Sequence, residues 1–159
     1  MSAYPSFDVY PARIPAAERR AWVDADPMSL WCGVRCLDID VGRYTCVMAE
    51  SPVELNPDGG VHGGATAATV DHCMGIVAMT VLGPERLAVT ASLTAEYLRP
   101  AYLPLTFKAT VTSHGRTVLF AQVEVEDRDG VLCMRAQGTM VVRRMQPATE
   151  AGPPSPPAG

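Results

Sequence analysis

The chain has 159 residues, of which 48% are hydrophobic and 19% charged, and this balance is typical of a single globular domain with an ordinary core. The net charge is −4 and the Lys and Arg residues are scattered along the chain, which argues against a nucleic-acid partner. The five cysteines are an odd number and no secretion signal is expected, which predicts free thiols. We expect a cytoplasmic protein with no membrane span, no metal site and no separate cofactor.

The first 29 residues are predicted to form an irregular arm and one short helix. Pro15 stands where a helix begins, and the helix is expected to end before Pro27. From Leu30 to Ala49 the sequence alternates loosely around Gly42-Arg43, which predicts two strands joined as a hairpin. If this segment is a strand throughout, Cys32 and Cys36 share one of its faces.

A long apolar helix is predicted between Gly64 and Leu82. It is hydrophobic on nearly every side, and Asp71 and His72 are its only acidic or basic residues apart from the weakly acidic Cys73. A helix of this kind is normally buried, and a buried carboxylate is costly unless it is hydrogen-bonded. Either neighbouring N–H groups satisfy Asp71 in a packed core, or the carboxylate has a chemical role.

The segment from Asn56 to Gly64 leads directly into this helix. The first N–H groups of a helix lack intrahelical partners and carry the positive end of its dipole, so they can bind an oxyanion or a carbonyl oxygen. Gly63 and Gly64 have no Cβ, which lets a substrate approach the backbone closely. The combination of glycines, His62 and a nearby carboxylate predicts an active site at the start of the helix.

Four strands are predicted after the helix. The clearest alternation runs from Leu87 to Leu98, with one face formed by Leu87, Val89, Ala91, Leu93, Ala95 and Tyr97. The runs 105–113, 117–126 and 131–143 follow, and the Asp-Gly at the end of 127–130 is typical of a hairpin. This order predicts an α+β fold in which a mostly antiparallel sheet wraps around one buried helix over residues 30–145. The Pro-rich tail 146–159 is expected to be disordered.

These features together resemble a known family. The spacing of Asn56, His62-Gly63-Gly64 and Asp71, the apolar helix, and the strand running from Thr90 to Pro100 are similar to the hotdog-fold acyl-CoA thioesterases of the phenylacetate-pathway type. The resemblance covers about residues 30–144. It implies a sheet wrapped around the helix, two protomers paired edge to edge, active sites at the dimer interface and, in many members, tetramers.

The resemblance also implies roles for individual residues. Asn56 and the backbone N–H of Gly63 would donate hydrogen bonds to the thioester carbonyl, and Asp71 of the other protomer would be the general base or the nucleophile. Thr90 would help to hold the attacking water, although a threonine is also ordinary in a strand. His62 would lie near the departing thiolate or make a structural hydrogen bond at the helix start.

Coenzyme A would be part of the substrate and needs cationic contacts for its phosphates. Arg99, Arg116 and either Arg143 or Arg144 are candidates because they lie near predicted strand ends, and Gly64 would allow close approach. Taken individually, each arginine is more typical of a solvated surface charge.

The motifs that the chain lacks or matches only in part bear on three other functions. The chain has no Gly-x-Ser-x-Gly elbow, phosphate loop or Gly-x-Gly-x-x-Gly, which argues against serine hydrolases and nucleotide-binding proteins. A hydratase of related fold is a weaker match, because Asp58 and His62 are separated by three residues rather than four. A non-catalytic acyl-CoA-binding protein is the other alternative, and the presence of Asp71 counts against it.

Overall fold

The computed structural model describes residues 15–83 and 85–144. The predicted irregular arm, 1–14, and the predicted disordered tail, 146–159, lie outside these residues. The elements in chain order are α1 (Ala16–Asp24), α2 (Pro27–Cys32), β1 (Val34–Asp40), β2 (Arg43–Met48), α3 (Gly63–Met79), β3 (Arg86–Tyr97), β4 (Leu105–His114), β5 (Val118–Glu126) and β6 (Leu132–Arg144). Within the described residues, no helix is both long enough and apolar enough to cross a membrane.

The six strands form one antiparallel sheet in the order β1-β2-β4-β5-β6-β3. The predicted hairpin is confirmed: β1 and β2 are joined at Gly42, whose φ of +74° is one that glycine adopts without strain. β3 does not pair with β2 or β4, its neighbours in sequence. It pairs with β6, the last strand of the sheet in chain order, and forms one edge of the sheet. That edge leaves a 12-residue strand without a second partner in the described part of the chain.

The core lies between α3 and the inner face of the sheet. Helix residues Val70, Cys73, Met74 and Val77 are fully buried there, among residues of strands β2 to β6. Gly138 of β6 permits this close packing, since a Cβ at that position would lie 2.5 Å from Met74 Sδ. The predicted α+β arrangement of an antiparallel sheet around one helix is therefore confirmed.

One face of α3 remains open, and this corrects the prediction of a helix buried on every side. Asp71 and Gly64 are exposed, and His72, Gly75 and Met79 are only partly covered. The sheet of a single chain covers the other faces, while the open face runs between α2 and the edge strand β3. Asp71 is consequently not a buried carboxylate within one chain.

A second helix, α2, occupies part of the segment predicted as a strand from Leu30. Asp26 caps it by accepting hydrogen bonds from the N–H groups of Met28 (2.9 Å) and Ser29 (3.2 Å), and Pro27 takes the first helical position. Gly33 ends it with a left-handed φ of +66°. Cys32 therefore lies on a helix and does not share a strand face with Cys36. All five cysteines are buried free thiols.

The alternation predicted for β3 is broken by an irregularity in its pairing with β6 between Thr90 and Ser92. Before that point Ala88 packs against the core, and after it Leu93 and Ala95 do so. The prediction that all the odd-numbered residues of this strand share one face is thus wrong. A bulge adds one residue to the strand, so even-numbered side chains face the core before it and odd-numbered ones after it. The change of sides brings Thr90 towards the helix.

Candidate active site

The start of α3 is organised by His62. Its φ and ψ of −59° and 129° are those of an N-cap, and its Nδ1 accepts a hydrogen bond from the Gly64 N–H at 3.0 Å. Its carbonyl accepts from the N–H groups of Ala65 and Thr66. The structural role expected as one alternative for His62 is therefore present. Among the described residues, the Gly63 N–H has no hydrogen-bond acceptor, which leaves this donor available to a ligand.

Tyr97, at the end of β3, fixes the same turn from the other side. Its hydroxyl donates to the Gly63 carbonyl at 3.0 Å, and a Cβ on Gly63 would lie 3.1 Å from its ring. The sequence places Tyr97 on a strand but gives no sign that the strand ends beside the helix start. This contact was therefore missed, since it depends on the register between two distant segments.

Asn56 lies in the turn that precedes the helix. Its backbone N–H donates to the Gly60 carbonyl and its carbonyl accepts from the Gly59 N–H, both at 2.8 Å. Its side-chain Nδ2 donates to the Val61 carbonyl at a long 3.4 Å, so one amide hydrogen remains for another acceptor. Asn56 and Gly63 line the same cavity of about 380 Å³. The structure thus brings together the two donors predicted for a carbonyl oxygen.

Asp71 and Thr90 form a second group. The Thr90 hydroxyl donates to Asp71 Oδ1 at 2.7 Å, a short distance typical of a charge-assisted hydrogen bond. Both residues line another cavity, of about 590 Å³, between α3, the N-terminal helices and β3. The predicted proximity of Thr90 to the carboxylate is present in the structure.

The two groups lie apart within one chain. Asp71 follows Gly63 by eight residues on α3, which separates them by about 12 Å along the axis at a rise of about 1.5 Å per residue. Hydrolysis needs donors about 3 Å from the carbonyl oxygen and the attacking group about 3 to 3.5 Å from its carbon. A single chain therefore contains both halves of the predicted site but does not bring them to one carbonyl.

The predicted cationic residues divide between two ends of the fold. Arg99 lines the cavity that contains Asn56, and its Nη1 donates to the Leu132 carbonyl at 2.8 Å. Arg116 lines a different cavity, beyond the C-terminal end of α3, together with Arg86. Arg143 and Arg144 stand opposite Leu87 and Arg86 in the backbone pairing of β6 with β3, at the same end of the sheet as Arg116. Only Arg99 lies beside the predicted carbonyl donors of its own chain.

His72, next to Asp71, attaches α2 to α3. Its Nε2 lies 2.7 Å from Ser29 Oγ and 4.0 Å from Asp26 Oδ1. Burial lowers the pKa of His72 below its ordinary value, and the neighbouring carboxylates Asp26 and Asp71 only partly oppose this. The imidazole is therefore neutral near pH 7.

Cys73 is unsuited to a nucleophilic role. It is fully buried, with its Sγ 3.5 Å from Cys46 Sγ, and burial raises the pKa of its thiol well above the usual range. In the described ranges 15–83 and 85–144, no group of three or more His, Cys, Asp or Glu side chains is placed to hold a metal ion.

Comparisons with known proteins indicate the family to which the chain belongs. The family model described as the thioesterase superfamily matches residues 58–134. A protein of Saccharolobus solfataricus described as a "Putative esterase" is 32% identical over 124 residues, which cover 76% of this chain and 86% of the relative.

Two solved structures share the fold. A thioesterase from Haemophilus influenzae superposes with a TM-score of 0.74 at 17% identity, covering 87% of this chain and 97% of its own. A "Hypothetical Thioesterase Protein with Coenzyme A" from Streptococcus pneumoniae superposes with a TM-score of 0.63 at 23% identity, covering 72% and 88%. The sequence relative and the family match together identify the chain as a hotdog-fold member of the thioesterase superfamily of thioester hydrolases.

Proposed function

We propose that this protein hydrolyses acyl-CoA thioesters at sites that two copies of the chain complete together. The observation that carries the proposal is the division of the machinery within one chain. Asn56 and Gly63 line one cavity, and Asp71 and Thr90 line another about 12 Å away along α3. A second copy supplies the missing half of each site.

The edge strand β3 provides a route for the two copies to meet. It has one open edge, and antiparallel pairing with β3 of a second copy would extend the sheet. Tyr97 stands beside Gly63, and Thr90 stands beside Asp71. A register that places Tyr97 of one copy opposite Thr90 of the second copy would bring the two half-sites together.

The chemistry then follows from the two halves. Asn56 Nδ2 and the Gly63 N–H donate to the thioester oxygen and stabilise the negative charge that develops on it, a contribution worth about 3 to 4 kcal/mol per donor in hydrolases. Asp71 of the second copy takes a proton from water while the oxygen of that water attacks the carbonyl carbon. The C–S bond breaks, and coenzyme A leaves as a thiolate, which needs little acid assistance.

The contact between Asp71 and Thr90 favours a general base over a nucleophile. The Thr90 hydroxyl donates a hydrogen bond to Asp71 Oδ1, and the other carboxylate oxygen is available to accept a hydrogen bond from a water. The lone pairs of Thr90 Oγ1 can accept the second hydrogen of that water. Such a water has two acceptors and a fixed orientation, which supports attack by water rather than by the carboxylate.

The coenzyme A moiety is proposed on chemical grounds. The streptococcal thioesterase that shares this fold is described with coenzyme A. In this chain, Arg99 is the cation beside Asn56 and Gly63, so it is the first candidate to contact the phosphates. The N–H of Gly64 is already bonded to His62, so Gly64 contributes close approach rather than a donor. The phenylacetate-pathway subtype and the cytoplasmic location stay predictions.

Release of free thiol from a panel of acyl-CoA thioesters tests this function. The wild-type protein should turn over at least one thioester, and Asp71→Asn should lose most of that rate because the base is gone. Asp129→Asn is a matched control, since it removes an exposed carboxylate from the turn between β5 and β6. Equal rates for wild type and Asp71→Asn would refute the mechanism, and tight binding without turnover would favour the acyl-CoA-binding alternative.

A further inference from the structure

The middle of α3 contains a glycine that its packing does not explain. Gly75 lies one turn after Asp71 in the interior of a 17-residue helix, where glycine is less favourable than alanine. A Cβ built on Gly75 would meet no atom within 4 Å among its neighbours. Gly138 offers the contrast, because Met74 fills the space in front of it. Gly75 therefore faces open space.

That space belongs to the cavity of about 590 Å³ that also contains Asp71. Asp71, Gly75 and Met79 recur at intervals of four residues, so they follow one another along the same face of the helix. All three line the cavity. A group bound at Asp71 that extends along this face passes directly over Gly75 before it reaches Met79.

The lining of this cavity is suited to an uncharged apolar group. Beyond Gly75 it is formed by large apolar side chains from five elements, including Trp22, Met28, Met79, Leu87 and Met140. Methionines adapt to ligands of irregular shape. Two of the cavity's other polar side chains already have partners, because Asp26 caps α2 and His72 bonds to Ser29. The buried Trp22 Nε1 has no partner among the described residues, but it is an uncharged donor. No Lys or Arg of the described residues lines the cavity to compensate a second carboxylate on the ligand.

We propose that this cavity receives the acyl group of the thioester and that Gly75 sets the size of acyl group that can enter. The proposal rests on the function proposed above and makes it more specific. The substrates are thioesters of uncharged apolar acids larger than acetate, with medium-length, branched or aromatic acyl groups. Dicarboxylic acyl groups are excluded, since their free carboxylate would meet Asp71 and Asp26 without a cation.

Substitution of Gly75 with larger residues tests the proposal. The ratio of kcat/KM for octanoyl-CoA to kcat/KM for acetyl-CoA should fall in Gly75→Ala. It should fall by at least about tenfold in Gly75→Val, which adds three carbon atoms, since a single methylene in a binding pocket already has about this effect. Octanoyl-CoA and acetyl-CoA carry the same coenzyme A, so changes in its binding cancel in this ratio. Succinyl-CoA should be a poor substrate throughout.

Stability gives an independent readout. Gly75→Ala should raise the melting temperature by about 2 to 4 °C, because alanine favours the helix and no atom opposes its methyl group.

Gly83→Val is the matched control for the substrate ratio. An added Cβ at Gly83 also meets nothing within 4 Å, but Gly83 lies after α3 and outside this cavity, so its substrate ratio should match that of wild type.

The outcomes separate this proposal from the function on which it rests. If Gly75→Val turns over thioesters with an unchanged octanoyl-to-acetyl ratio of kcat/KM, the acyl group does not pass Gly75. That result would overturn this proposal and leave the thioesterase function intact. Loss of dimers in Gly75→Val would overturn it too, because the space would then belong to the second copy. Absence of turnover of every thioester by the wild-type protein would remove both proposals.

Discussion

Substitution of Thr90 by valine isolates one hydrogen bond of the proposed site. Valine keeps the branched shape of threonine in β3 but cannot donate to Asp71 Oδ1, which now accepts from Thr90 at 2.7 Å. Hydrogen bonds to charged groups contribute about 1.5 to 3 kcal/mol, and the exposure of Asp71 favours the lower end of that range. About 1.5 kcal/mol corresponds to a roughly tenfold decrease in kcat.

The decrease should appear in kcat with little change in KM, because Thr90 is proposed to hold the base and its water rather than the substrate. Thiol release under saturating substrate measures it, and Thr90→Ser should recover most of the rate. Thr112→Val is the control, since Thr112 is an exposed threonine of β4 whose hydroxyl donates to the Phe120 carbonyl, and β5 and β6 separate β4 from β3 in the sheet. The reasoning is refuted if Thr90→Val retains wild-type kcat, or if Thr112→Val loses as much.

Three further predictions concern the surroundings of the site. Tyr97→Phe should lower kcat by roughly two- to tenfold, because it removes the hydrogen bond that holds the Gly63 carbonyl, worth about 0.5 to 1.5 kcal/mol; unchanged kinetics would exclude this positioning role. Arg99→Ala should raise KM for acyl-CoA more than it lowers kcat, whereas Arg128→Ala, which removes an arginine stacked on Tyr102, should leave KM unchanged. His72 should make the protein less stable as pH falls below about 6.5, because its lowered pKa means that the unfolded chain takes up a proton before the folded chain does; His72→Gln should reduce this loss in melts at pH 7.5 and 5.5.

Long periodic segments made much of the fold predictable from the sequence. The apolar run before Leu82 indicated the central helix, and the Asp-Gly before Val131 indicated the turn between β5 and β6. These signals are local, so they need no knowledge of distant contacts. The short helix α2 was missed because its six residues are too few to display a helical period, although Asp26-Pro27 is a recognisable helix start.

The candidate site was predictable only in part, because its geometry depends on contacts between distant segments. The spacing of Asn56, Gly63 and Asp71 identified the residues, but their division between two cavities required the direction of α3 and the position of β3. The bulge near Thr90 changes which side chains of β3 face the helix, but the sequence there contains no glycine or proline that would predict a bulge. The contact of Tyr97 with the helix start likewise depends on where β3 ends.

The claim that two copies complete each site is tested most directly by mixing two inactive variants. Asn56→Ala lacks a carbonyl donor and Asp71→Asn lacks the base, so each pure variant should be nearly inactive. After subunit exchange in equal amounts, half of the dimers are mixed and each has one intact site, which predicts recovery of about a quarter of the wild-type rate. Proven exchange of subunits without any recovery of thiol release would contradict the account.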